Sequence, residues 1–315
     1  MAKVGTNLKK AILYLEMNEV VGIPTETVYG LAGNGLNDLA ISKIFQVKNR
    51  PFFDPLILHT HSFAEIEKYT INVPAKAKLL VDAFIPGPLT LLLPKVSSIP
   101  DLVTAGLPNV AFRIPNHPLT LELLKQLPYP LAAPSANPFG YVSPTTAAHV
   151  NQQLGSKIPY ILDGGSCDIG LESTIIGFDN EKVIVYRKGG ISIEAIEEVV
   201  GKVIVQTHSD SNPAAPGMLK SHYAPNKKVV IYENSIQQDL KNTGAIVFDR
   251  AIEGIPIENQ IFLSKSADLN EAARNIFGHL RLIENFNIDK IYVQLVPETG
   301  LGRAINDRIR RAAAE

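Results

Sequence analysis

A single cysteine, Cys167, is all that 315 residues provide. That excludes an internal disulfide and a cysteine-based zinc site, fits a reducing compartment, and leaves the thiol a packing role. No stretch approaches the ~20 consecutive apolar residues of a membrane span, and Met1 to Lys10 lacks an apolar core behind its lysines. A cytoplasmic protein without membrane attachment is therefore the expectation. Neither sign of charge is in excess: 30 basic residues stand against 31 acidic ones, so no bulk field exists to hold a polyanion such as duplex RNA. A local basic pocket remains open to the chain. Internal repeats and low-complexity tracts are also lacking.

What is present describes an ordinary globular chain, with 45% apolar and 19% charged residues and a length that suits about two domains of ~150 residues each. Leu8, Ile12 and Leu15 space like a helix face over 7–18, and Val20 to Pro24 reads as a short buried strand stopped by proline. Thr25 to Tyr29 falls on the turn after it. Asn37 to Val47 predicts a helix with Leu39, Ile41, Ile44 and Phe45 for the core, which delivers Lys48 and Arg50 at its C-terminal end, where basic charge is favourable. Proline-bounded strands are expected at 56–59, 90–94, 111–115 and 130–134, with helices at 62–68, 74–84 and 117–126. Ser143-Pro144-Thr145-Thr146 reads as an N-cap opening a helix to about Leu154. Strands follow at 159–162, 173–177 and 182–187.

From Gly201 the pattern weakens, and Ser209 to Gly217 has the composition of a linker. Beyond it, strands at 228–232, 245–249, 260–263 and 290–294 alternate with helices at about 235–241, 268–286 and 302–314, the pattern of a small, mostly parallel Rossmann-like sheet. It carries no G-x-G-x-x-G, so nucleotide binding there has no support. The expected organisation is α/β throughout: a mixed-sheet catalytic domain at 1–200, a linker or lid at 201–228, and a Rossmann-like domain at 229–315.

Ordered sequence blocks run through the first of these domains: Ile23-Pro24-Thr25-Glu26-Thr27-Val28-Tyr29-Gly30-Leu31, Lys48-Asn49-Arg50-Pro51, Pro55-Leu56-Ile57-Leu58-His59, Val110-Ala111-Phe112-Arg113-Ile114-Pro115 and Ser135-Ala136-Asn137. Ser143-Pro144-Thr145, Leu171-Glu172-Ser173-Thr174-Ile175, Val185-Tyr186-Arg187-Lys188-Gly189-Gly190 and His222-Tyr223-Ala224-Pro225 continue the series. This set resembles the YrdC-like domain of threonylcarbamoyl-AMP synthases over roughly residues 10 to 225, and the rest resembles the extra domain of the two-domain members. The resemblance implies a twisted mixed-sheet YrdC-like fold.

Most of these residues have a plain reading beside the one that the resemblance implies. Lys48 and Arg50 alone describe a solvated helix end; the resemblance turns them toward the ATP phosphates. Thr25, Glu26 and Thr27 could simply cap a turn, and the resemblance gives Thr27 to threonine. His59 alone is a satisfied strand-end histidine, and His61 beside it finds no further ligands for a metal; the resemblance places His59 at threonine. Arg113, alternating with Phe112 and Ile114, either points to solvent or offers a planar double donor to a carboxylate. The family selects the second.

By the same resemblance Ala133 and Ser173 lie at threonine. Asn109, Ser135, Asn137, Ser143 and Arg187 lie at ATP, although each is an ordinary turn, strand or surface residue by itself. Asp54 stands where relatives usually have asparagine, which adds negative charge near the nucleotide. Ala215 stands where serine is frequent, leaving only its backbone to contact ATP. His222 and Tyr223 match the linker that closes over the pocket as a lid.

The implied activity joins L-threonine, bicarbonate or CO2, and ATP into L-threonylcarbamoyl-adenylate with release of pyrophosphate. That product supplies a downstream threonylcarbamoyl-transferase machinery that modifies tRNA, so tRNA is an indirect partner. Mg2+ is expected to arrive with ATP, without protein ligands or an organic cofactor. Two other readings stand beside it. One is an RNA-binding module of the same fold, against which the near-neutral charge counts. The other is carbamoyl-adenylate chemistry of the hydrogenase-maturation type, whose associated cysteine-bearing segments this chain lacks.

Overall fold

A computed structural model of the chain describes residues 1–206, 215, 216, 218, 223–233 and 240–314. Hydrophobic runs punctuated by proline and glycine become short strands. They are β1 (Lys3–Gly5), β2 (Val21–Ile23), β3 (Gly30–Asn34), β4 (Ile57–His59), β5 (Leu89–Pro94) and β6 (Asn109–Arg113). Then come β7 (Leu131–Ala132), β8 (Tyr160–Leu162), β9 (Thr174–Asp179), β10 (Lys182–Arg187) and β11 (Ile204–Val205). Among the described residues they form one eleven-stranded sheet in the order β1-β8-β2-β3-β7-β4-β6-β5-β9-β10-β11. Pairing is mixed: β4 runs parallel to β6 and β5 to β9, whereas β7, β5 and β10 run antiparallel to their neighbours β4, β6 and β9. The mixed α/β class expected from the sequence is the observed one.

The second sheet contains β12 (Lys228–Ile231), β13 (Thr243–Val247), β14 (Gln260–Phe262) and β15 (Lys290–Val293), in the order β12-β15-β13-β14. Its described pairings are parallel, in keeping with the strand–helix alternation of the sequence. Helices Leu269–Leu282 and Gly302–Ala312 fall inside the expected ranges, while the helix expected at about 235–241 lies mostly outside the described residues.

Several elements differ from expectation for local reasons. The strand expected at 130–134 shrinks to Leu131–Ala132, because prolines on both sides withhold N–H donors. Ser143 is not a helix N-cap; Thr146 is, its hydroxyl accepting from His149 N ahead of Ala147–Leu154, so Ser143 is released for another role. β1, β3 and the helix Ile193–Val200 have no counterpart among the elements expected from the sequence.

One apolar cluster crosses between the two sheets' domains. Val28, Val142 and Leu171 pack with Tyr223 and with Ala272, Ile276, Phe277, Ile305 and Ile309 of the two late helices. Gly170 permits this closeness. Its φ is +76°, and a Cβ there would lie 2.5 Å from the Arg274 Cα, so any side chain would push the helix Leu269–Leu282 away. Arg281 of that helix donates to the carbonyls of Val142 and Ser143 and to Gln153.

Candidate functional site

Strand register assembles the site. Because β4 and β6 are parallel, His59 and Arg113 are register partners, and the antiparallel pair β5–β6 sets Thr90 opposite Arg113. β9 lies on the far side of β5, so Ser173, just ahead of it, reaches Thr90: the two hydroxyl oxygens are 2.7 Å apart. Arg187 enters from the end of β10, beyond a register shift after Val185, and donates from Nε to the Ser173 carbonyl at 3.0 Å and from Nη2 to its hydroxyl at 2.9 Å. Gly189 allows the return of this segment, since a Cβ there would sit 2.3 Å from the Glu172 carbonyl.

The ends of β4, β6 and β10 and the approach to β9 thus bring His59, Arg113, Arg187 and Ser173 to one cavity. Arg50, Ala133, Ser135 and Tyr223 line it too. Arg50 follows the helix Asp38–Lys48, which Asn37 caps and Asn49 ends with a left-handed φ of 53°. It donates to the carbonyls of Asp54 and Pro55, and its Nη2 lies 2.9 Å from an Asp54 carboxylate oxygen. Asp54 therefore lies against Arg50 and is not among the residues lining the cavity.

Lys48 does not line the cavity either. Its ammonium is buried and donates to the Ser135 and Asn137 carbonyls, each at 2.5 Å, so it staples the Ser135–Asn137 loop from beneath. Burial, reinforced by the positive charge of Arg50, pushes its pKa well below the ordinary lysine value. The reading of Lys48 and Arg50 as a helix end outside the core needs correction: they are only 1% and 9% exposed. Both belong to the packed interior, and truncating either removes internal hydrogen bonds.

The other candidate residues are placed as follows. Thr27 is buried and bonded to the Thr25 hydroxyl at 2.8 Å, one layer behind the cavity. Asn137 donates to Pro138 and Tyr141 carbonyls, and Ser143 donates to Glu172 Oε1 at 2.6 Å. Asn109 begins β6 on the same face as Arg113, which places it ~13 Å along the strand. Ala215 packs with Met218 on Ile57, Leu92, Ala111 and Ile175, making an apolar contact of linker on sheet. His222 lies outside the described residues.

Electrostatics divides the lining. Burial first, then the neighbouring Arg113 guanidinium, depresses the His59 pKa to about 3, so its imidazole is neutral at physiological pH. Arg113 Nη2 lies 2.8 Å from Glu26 Oε1 in a buried ion pair, and its Nε donates to the Gly87 carbonyl at 3.4 Å. Glu172 is buried, which would raise its pKa, yet Arg308 and Arg187 hold it down to about 2. Among the described residues no group of three His, Cys, Asp or Glu side chains is placed to hold a metal ion.

Sequence reasoning gives Glu26 only a turn-capping role and gives none to Thr90, Glu172 or Arg308. Glu172 carries a signal, standing inside the Glu172-Ser173-Thr174 block. Arg308 carries none, for it lies in an arginine-rich final helix more than a hundred residues from its partner.

Two family models divide the chain. One, described as Telomere recombination and covering Sua5, YciO and YrdC proteins, matches residues 13–189, and the other, the C-terminal domain of threonylcarbamoyl-AMP synthase, matches 191–314. The chain belongs to the threonylcarbamoyl-AMP synthase family. It is 38% identical over 312 residues to the threonylcarbamoyl-AMP synthase of Pyrococcus abyssi, covering 95% of this chain and 92% of that one. It is 39% identical over 320 residues to the Bacillus subtilis synthase, covering 97% and 92%. The fold is similar to a crystal structure of P. abyssi Sua5 complexed with L-threonine, with a TM-score of 0.91 and 34% identity over 99% of this chain and 97% of that one. This two-domain family accounts for the second sheet as well as the first. No helix among the described residues is long and apolar enough to cross a membrane.

Proposed function

We propose that the chain synthesises L-threonylcarbamoyl-adenylate from L-threonine, bicarbonate or CO2, and ATP, releasing pyrophosphate. The observation that carries this reading is the convergence of Arg50, Arg113 and Arg187 with neutral His59 and Ser173 on one cavity, in a chain similar to a threonine-complexed relative. Two anionic reactants, an amino-acid carboxylate and a triphosphate, need such a set of fixed cations.

The chemistry requires no protein nucleophile. Threonine's amine adds CO2 and loses a proton to become an N-carboxylate. One oxygen of that group attacks the α-phosphorus, forming a new P–O bond, while the bond to the β-phosphate oxygen breaks and pyrophosphate departs with its electron pair. The site must hold the reactants in line and offset phosphate charge. Arg113 is suited to the threonine carboxylate, with His59 and Ser173 near the amino acid, and Arg50 and Arg187 to the phosphates. Lys48 acts by fixing the Ser135–Asn137 loop. Mg2+ is proposed to enter on phosphate oxygens, where its preference for oxygen and water ligands is met by the nucleotide itself.

The cavity measures about 50 Å3, far below the ~300–1,000 Å3 of ordinary ligand pockets. Pro216 and Tyr223 of the linker are part of its wall. We therefore propose that the linker opens to admit substrates and closes again to keep water from the reactive anhydride. The product is proposed to pass to a threonylcarbamoyl-transferase acting on tRNA, in the cytoplasm.

Pyrophosphate release measured with each reactant omitted in turn tests the reading. Release should need threonine, bicarbonate and ATP together. Threonine-independent release, or binding of tRNA without any adenylate synthesis, would replace it with the RNA-binding reading.

A further inference from the structure

Arg308 belongs to the C-terminal helix Gly302–Ala312, yet it is fully buried against the wall of the N-terminal cavity. Its Nε donates to Glu172 Oε2 at 2.8 Å and its Nη2 to the Lys188 carbonyl at 2.9 Å, on the two segments that flank Arg187. The guanidinium also lies over the Tyr223 ring, 5.0 Å from its centroid. A second carboxylate, Asp307 Oδ2, holds Nη1 at 2.7 Å and is itself 3.0 Å from Arg311 Nε.

Glu172 is the carboxylate that matters here. It lines the cavity with Arg187 and acts electrostatically on both Arg187 and Arg308. A directed bond to Arg308 and another from the Ser143 hydroxyl hold its two oxygens. Arg187 meanwhile donates to Ser173 groups that carry no formal charge. Were Arg308 absent, a buried carboxylate would have Arg187 as its remaining neighbouring cation on this wall, and pairing with it would relieve the cost of an uncompensated charge.

We propose that Arg308 is a positioning residue supplied by the C-terminal domain: it sequesters Glu172 so that the Arg187 guanidinium stays available to the nucleotide phosphates, and it seats Tyr223 of the linker in the same contact. The inference rests on the assignment of Arg187 to the nucleotide made above. It gives the C-terminal domain a defined part in the site, since docking of the last helix completes the charge arrangement of a cavity in the other domain.

The test uses the full chain and steady-state pyrophosphate release. In Arg308→Met, KM for ATP should rise by about tenfold or more, while KM for threonine moves much less, because a freed Glu172 captures Arg187 and leaves Arg113 alone. Adding Glu172→Gln should recover most of the ATP affinity, because the competing negative charge is gone although the packing defect at 308 remains. Arg308→Lys should fall between Met and wild type, keeping the charge without the fork that meets Glu172 and Lys188 together.

A double variant as impaired as Arg308→Met would reduce Arg308 to packing and overturn the proposal, as would equal rises of both KM values. If Arg308→Met does not fold, the same comparison is made between Arg308→Lys and Arg308→Lys/Glu172→Gln, with the same outcomes deciding. Arg187→Ala separates the two levels of argument. Wild-type ATP affinity in that variant would sink the nucleotide assignment itself, whereas a damaged Arg187→Ala beside a normal Arg308→Met would sink only this inference.

Discussion

Two buried arginines on either side of Glu172 show how differently the protein treats one side chain in two regions. At the cavity, Arg187 donates to a carbonyl and a hydroxyl of Ser173, and burial lowers its pKa to about 10. At the domain contact, Arg308 is just as buried, but Tyr223, Glu172 and Asp307 outweigh burial and raise its pKa above the ordinary arginine value. Burying a cation costs several kcal/mol unless a counter-charge meets it. At the domain contact the counter-charge belongs to the protein, and the result is a fixed joint. At the cavity Arg187 directs its hydrogen bonds to neutral Ser173 groups and has Glu172 only as a neighbouring charge, the arrangement that the proposed nucleotide assignment requires.

The largest expected effect follows from the cavity side of this contrast. Arg187→Ala should lower turnover by ~10²–10³, the range found when one preorganised donor to a developing charge is removed. Its melting temperature should change less, because Arg308 still pairs Glu172 when the Arg187 guanidinium is gone and the Ser173 acceptors are the groups that lose their donor. A loss of stability larger than the loss of turnover would make Arg187 a joint like Arg308 and erase the distinction.

Acid sharpens the other side. The Glu172 pKa is held at about 2 in the folded chain against an ordinary value of 4.5. A carboxyl depressed on folding contributes stability that is fully present above its unfolded pKa and is lost as pH falls from about 4.5 through about 2. The shift corresponds to about 3 kcal/mol. Denaturant unfolding between pH 6 and pH 2 should therefore show a steeper acid loss in the wild type than in Glu172→Gln. Superimposable slopes would mean that the domain joint does not depend on this charge.

Much of this arrangement is legible in the chain itself. Helix 38–48 follows from the Asn37-Asp38 start and its apolar spacing, and the parallel second sheet from strand–helix alternation, because both are local periodicities. Arg113 can be singled out because an arginine between apolar strand residues demands an explanation. What stays hidden depends on long-range register. That Thr90 faces Ser173 follows from β5 lying between β6 and β9, and that Lys48 bonds the Ser135–Asn137 loop follows from a helix end meeting a loop nearly ninety residues on. Ser143 illustrates a local rule overridden: Ser-Pro reads as a helix start, but Thr146 takes the cap and Ser143 turns to Glu172. Arg308 is invisible because nothing local distinguishes it from Arg303, Arg310 or Arg311 of the same helix.

The smallest expected effect concerns recognition by shape, which the charge contrast leaves open. Beside its arginines the cavity has an apolar side formed by Val28, Ile57 and Ala133, able to contact the threonine methyl while Ser173 or His59 meets the hydroxyl. Serine keeps the hydroxyl and loses the methyl. A missing methyl contact in such a pocket is worth only ~1–3 kcal/mol, or about 10–200-fold in kcat/KM. Serine should therefore support pyrophosphate release at a reduced but measurable kcat/KM. Valine, which keeps the branched shape and places a methyl where the hydroxyl bonds, should do worse than serine, because a buried polar group would lose its partner. Measuring the three amino acids at saturating ATP and bicarbonate decides the point. If valine outperforms serine, the pocket reads shape alone and the polar roles of Ser173 and His59 fall away. If serine equals threonine, the apolar side has no part in selection.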